Sequence, residues 1–140
     1  MKLMIVDDEP SIQELFAVVL GDEHKLVFAD DGEKAWEIFL ESPFSFDGII
    51  TDVNMPNMDG CQLVECIRKH RYDIPVVAMS SGTTLIQQTF LSGWDVLKLL
   101  PKPFHYGDLE IALSLIAEKS SRDLWRTWGV IEGEYEYEQS

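Results

Sequence analysis

The residues best equipped for chemistry are acids that each close a short apolar run. Asp7 and Asp8 stand side by side after residues 2–6, and Asp52 follows Gly48-Ile49-Ile50-Thr51. Ser80 follows a further apolar run, and Lys102 sits between Pro101 and Pro103. Three carboxylates brought within several ångströms repel one another and respond by raising a pKa or by taking up a cation. A donor set of oxygens alone points to Mg²⁺, which keeps several waters and needs only one or two carboxylates. Ca²⁺ is disfavoured, because no twelve-residue calcium loop with a terminal Glu is present. A divalent cation, a lysine and a hydroxyl grouped around one carboxylate make a site for the equatorial oxygens of a phosphoryl group. The carboxylate itself is then the nucleophile, giving an aspartyl phosphate.

The elements that must position these groups alternate along the chain. Residues 2–6 form an apolar run stopped by acids, as suits a strand buried in a parallel sheet. Pro10 and Ser11 open a helix whose apolar face uses Ile12, Leu15, Phe16, Val19 and Leu20, ended by Gly21-Asp22. Residues 24–29 read as a second strand, Asp30-Asp31-Gly32 as a turn, and residues 33–41 as a second helix with Trp36, Ile38 and Phe39 partly turned inward. A third strand over 48–51 ends at Asp52, and the loop 54–60 leads to a third helix over 62–69. Residues 74–79 and 96–100 give the fourth and fifth strands; residues 84–91 and 108–119 give the fourth and fifth helices. Five β units each followed by a helix predict an α/β fold, a parallel sheet covered on both faces. Ligands of such sheets bind outside the carboxyl ends of the strands, where Asp7, Asp8, Asp52, Ser80 and Lys102 all fall.

Composition bounds the function. The 140 residues are 46% hydrophobic and 26% charged, an ordinary globular balance and about one domain. A formal net charge of −14, with only Arg68-Lys69-Arg71 as a basic cluster, argues against nucleic acid or an anionic membrane as a partner. Apolar stretches such as residues 16–20 are far too short to span a bilayer, and the N-terminus meets acids too early for a signal peptide. A cytoplasmic protein is expected. Cys61 and Cys66 are too few for a disulfide framework and share no helix face, so they read as packing.

Ile5-Val6-Asp7-Asp8-Glu9-Pro10, the run 52–60 (Asp-Val-Asn-Met-Pro-Asn-Met-Asp-Gly), Ser80 and Pro101-Lys102-Pro103-Phe104 occur in this order and at these intervals. In them the chain resembles the receiver domain of bacterial two-component response regulators, over residues 1–119. The resemblance implies a flavodoxin-like (βα)5 doubly wound fold with five parallel strands in the order 2-1-3-4-5. It implies Asp52 as phosphoacceptor, Asp8 as a direct Mg²⁺ ligand, Asp7 as one acting mainly through water, and the backbone carbonyl of Asn54 as a further ligand. Lys102 resembles the lysine that pairs with the acceptor and then the phosphate, and Ser80 the residue whose hydroxyl engages the phosphate. Pro103 matches a position where the peptide bond is usually cis. The implied partners are a sensor histidine kinase or histidine phosphotransfer protein upstream and a protein target downstream, with homodimerisation through the fourth-helix to fifth-helix face open.

Departures from the pattern qualify this expectation. Leu99 stands where many receivers carry the Tyr or Phe that changes rotamer on phosphorylation, and Gly93-Trp94-Asp95-Val96 lacks the usual Gly-Ala-Asp. A phosphate-independent interaction module of the same fold is therefore one alternative. An aspartate-nucleophile phosphohydrolase is another, weakened by Asn54 where those enzymes place a second Asp as general acid. Residues 120–140 are expected to be a helix extension carrying Leu124, Trp125 and Trp128, then an acidic, partly disordered tail. A stand-alone receiver is the expected organisation, although a piece of a longer regulator would read similarly.

Overall fold

The computed structural model describes residues 1–81 and 96–122, the last two by backbone alone. Strand β1 (Lys2–Val6) is followed by helix α1 (Pro10–Leu20), β2 (Lys25–Ala29), α2 (Gly32–Glu41), a 3₁₀ turn (Pro43–Ser45) and β3 (Gly48–Asp52). Helix α3 (Gly60–Lys69), β4 (Val76–Ser80), β5 (Lys98–Pro101) and α4 (Tyr106–Arg122) complete the described elements. The expected fourth helix and Trp94 fall outside the described residues, as do Leu124, Trp125, Trp128 and the acidic tail.

All pairings are parallel, and the sheet order is β2-β1-β3-β4-β5. Continuous apolar runs suit this sheet because alternate residues of each strand face opposite helical layers. Leu3 and Ile5 of β1 pack with Phe16, Leu109 and Ile116 on one face. Met4 and Val6 pack with Phe39, Leu63 and Ile67 on the other. The sheet is therefore doubly wound, with its two cores on opposite faces.

Several boundaries differ from the sequence reading for identifiable reasons. His24 is not in β2, because its N–H closes the end of α1 on the Leu20 carbonyl at 3.0 Å. Helix α3 starts two residues early, at Gly60. Asp59 caps it by accepting from the Gln62 N–H at 2.8 Å while the Gln62 side chain accepts from the Asp59 N–H at 2.9 Å. Pro75 has no N–H, and β4 begins at Val76. Leu15, expected on the buried face of α1, is 44% exposed. It lines an apolar cleft between α1 and α4 with Phe16, Val19, Phe104, Tyr106 and Leu109.

Candidate functional site

The carboxyl ends of the strands gather the polar residues on one rim. Asp7 and Asp8 follow β1, Asp52 and Ser80 are the last residues of β3 and β4, and Lys102 is the first past β5. Asp7 is fully buried and Asp52 is 4% exposed, whereas Asp8 faces solvent. One oxygen from each of these three carboxylates lies within 4.8 Å of the other two.

Lys102 enters from the far edge of the sheet. Its Nζ lies 2.7 Å from Asp7 Oδ2, 3.3 Å from Asp52 Oδ2 and 3.8 Å from Glu9 Oε1. The shorter contact is thus to Asp7, with Asp52 second. Backbone bonds tie the rim together: Lys102 N donates to Ser80 O at 2.8 Å, and Val53 N donates to Met79 O at 2.9 Å. Ser80 is buried at its strand end, and the Lys102–Pro103 bond is cis. Asn54 is exposed and lines an open cleft of about 350 Å³ with Asp8, Met55, Pro56 and Asp59. Leu99 is half-buried, packed against the core on the α2–α3 side of the sheet.

The electrostatics follow from burial and this charge arrangement. Burial pushes the Asp52 carboxyl up; Lys102 pulls it back and Asp7 adds to the rise, leaving it above the ordinary aspartate value. Burial alone would lower Lys102, but its hydrogen bond to Asp7 and the attraction of Asp52 and Asp7 reverse that, holding it above the ordinary lysine value. Three carboxylates around one ammonium leave the cluster net negative. Oxygen donors of this kind, part buried and part open to the cleft, suit a hard divalent cation.

Sequence reasoning overlooked the residues that hold the acid-bearing loops. Asp7 N donates to Ala29 O at 3.1 Å, and Asp7 Oδ1 accepts from Glu9 N at 2.9 Å. Gln13 Nε2 donates to Asp7 O at 2.8 Å and to Asp30 Oδ1 at 3.1 Å. Asp31 accepts from Asn57 Nδ2 at 2.8 Å, and Gly32 N donates to Met58 O at 2.9 Å. Gly60 closes the neck of the loop by donating to Val53 O at 2.9 Å, so close to β3 that a Cβ there would lie 2.3 Å from Asp52 O. Asp31 preceding Gly32 carried a helix-capping signal that could have drawn attention to it. Gln13 carried none.

The family model for the response regulator receiver domain matches residues 3–114, and the chain belongs to that family. Response regulator GtcR of Aneurinibacillus migulanus is 33% identical over 104 residues, which are 74% of this chain and 42% of that protein. Sensor histidine kinase RcsC of Escherichia coli (strain K12) is 33% identical over 128 residues, 88% of this chain and 13% of the kinase. The chain thus spans less than half the length of these curated relatives. Among solved structures, chemotaxis protein CheY4 of Vibrio cholerae superposes with a TM-score of 0.73 at 28% identity, covering 82% of this chain and 97% of that one. Response regulator protein TrrA of Thermotoga maritima, solved in complex with Mg²⁺-BeF, gives 0.71 at 26% identity, with the same coverage. Receiver domains are signalling domains of two-component systems. Among the described residues no helix is long and apolar enough to cross a membrane.

Proposed function

We propose that Asp52 accepts a phosphoryl group from a phosphohistidine and that the chain works as a phosphorylation-dependent switch. The observation that carries this reading is the cluster of Asp7, Asp8 and Asp52 oxygens within 4.8 Å, with Lys102 reaching two of the three carboxylates. Asp8, Asp52 and the backbone carbonyl of Asn54 would hold Mg²⁺. Asp7 would act mainly through water, since its two oxygens already accept from Glu9 and Lys102. When bound, Mg²⁺ supplies positive charge that offsets repulsion between the acidic pocket and an incoming phosphoryl group.

The chain's own residues do the rest. An Asp52 oxygen forms the new O–P bond as the P–N bond to the donor imidazole breaks, and the electron pair leaves with the ring. Lys102, fixed by Asp7, is placed to meet the negative charge that the adduct adds at Asp52. Ser80 offers its hydroxyl from the adjacent strand end. Engagement of these groups biases an equilibrium of the binding surface toward the form read by a downstream protein. On this reading the donor is a sensor histidine kinase or a histidine phosphotransfer protein, and the chain acts in the cytoplasm. The switching unit spans residues 1–119, with 120–140 as an extension.

Intact mass after incubation with a small acyl phosphate and Mg²⁺ tests the proposal. Wild type is expected to gain one labile phosphate and Asp52→Asn none; equal labelling of both would overturn the assignment. Leu99, half-buried where a switching ring would sit, supports the phosphate-independent reading as second choice. Partner binding indifferent to Asp52→Asn would favour it.

A further inference from the structure

Two neighbouring residues outside the acid cluster, Asp30 and Asp31, each brace one of the loops that carry it. Asp30 holds the Gln13 amide that also binds the Asp7 carbonyl. Asp31 is only 5% exposed, and its two oxygens divide their work. Oδ1 accepts from Lys34 N at 2.8 Å and caps α2, while Oδ2 accepts from Asn57 Nδ2 at 2.8 Å, across 26 positions of sequence. A carboxylate only accepts, so the amide nitrogen of Asn57 must face it.

Capping alone would require one oxygen, and Ser or Asn would serve comparably. The second oxygen instead reaches a residue whose φ of 64° lies in the left-handed region, which Asn tolerates better than most side chains. The next residue, Met58, is held as well, because its carbonyl accepts from Gly32 N at 2.9 Å. A Cβ on Gly32 would lie 2.5 Å from that oxygen, so this approach depends on glycine. Two successive residues of the loop are therefore fastened to the N-terminus of α2. The loop's neck is fastened separately, by Gly60 on Val53. Between these points lies Asn54.

We propose that Asp31 and Asn57 form a positioning pair for the cation site, fixing the loop that carries Asn54 against the acids after β1. The inference rests on the Mg²⁺ reading above and deepens it. The α2 N-terminus supplies no ligand yet sets how well the ligand loop is pre-organised. Outer partners of metal ligands act in this way in other sites.

The test uses two variants of the full chain. Asn57→Gly removes the amide while accepting the backbone conformation without strain. Asp31→Asn combined with Asn57→Asp exchanges donor and acceptor, keeps the net charge, and leaves an oxygen to cap α2. Mg²⁺ affinity is measured by calorimetry, and exchange of the Gly32 amide is followed in metal-free protein. Asn57→Gly is expected to weaken Mg²⁺ binding by about tenfold and to speed exchange at Gly32, and the exchanged pair to return affinity to within about threefold of wild type. Affinity of Asn57→Gly within about twofold of wild type overturns the proposal, as does an exchanged pair no tighter than the single variant. A wild-type chain that takes up no Mg²⁺ overturns the underlying reading and this one together, whereas wild-type binding matched by Asn57→Gly overturns this one alone.

Discussion

Replacing Gly60 with alanine places a methyl where there is no room for one. The added Cβ would lie 2.3 Å from Asp52 O and 3.0 Å from Val53 Cα, both main-chain atoms that no rotamer change can move. Ordinary contact begins at 3.4 Å, so the first residue of α3 and the end of β3 must separate by about 1.1 Å. Overpacking of this kind costs about 1–3 kcal/mol. In a domain of this size each kcal/mol lowers the melting midpoint by about 4 °C. The nearest of these atoms is the carbonyl oxygen of Asp52, the proposed phosphoacceptor, and a shift of about 1 Å in a reacting group can slow a reaction by about 10². The assay pairs urea unfolding with the rate of labelling by a small acyl phosphate. Gly107→Ala in α4 is the matched control: its Cβ meets nothing within 4 Å. It should be neutral or stabilising by up to about 1 kcal/mol, with labelling unchanged. Gly60→Ala unfolding with wild type and labelling at the wild-type rate would refute the reasoning.

Other expectations follow from the charges and the core. Asp52 has a folded-state pKa raised above its ordinary 3.8, so the native state binds more protons than the unfolded chain between those two values. Its contribution to stability therefore falls as pH rises through that window and is least favourable at neutral pH. In EDTA, Asp52→Asn should be more stable than wild type at pH 7, with the gap closing toward pH 4; a less stable variant at pH 7 would contradict this. Mg²⁺ at about 100 times its Kd should stabilise wild type by about 2.7 kcal/mol, read as a shift in the urea midpoint. Asp8→Ala should lose most of that shift, and retaining it would remove Asp8 from the ligand set. Phe39 is fully buried, with Tyr72 edge-on at 5.1 Å and Trp36 at 6.0 Å, so Phe39→Ala should cost about 3–5 kcal/mol. A loss below about 1 kcal/mol would show that the aromatic cluster closes over the gap.

The sequence alone determined which residues meet at the rim. Apolar runs such as Leu3 to Val6 can be buried only by a sheet covered on both faces. Acids, a serine and a lysine ending those runs must then collect at one edge of it. Periodicity also located the helices among the described residues, although not the turn after α1, closed by the His24 N–H on the Leu20 carbonyl, that removed His24 from β2. The structure decided what local pattern cannot express. Lys102 meets Asp7 across 95 positions, and that encounter, with the burial of Asp52, sets the direction of both pKa shifts. Leu15 has the spacing of a core residue but lines the open cleft between α1 and α4, beside Tyr106. Gln13 has no signature as a site residue, and Asp31 only that of a helix cap, because their roles lie in distant partners, a backbone carbonyl and an amide on another loop. Residue type and spacing record which groups a chain possesses, whereas desolvation and hydrogen-bond direction depend on which segments fold against one another.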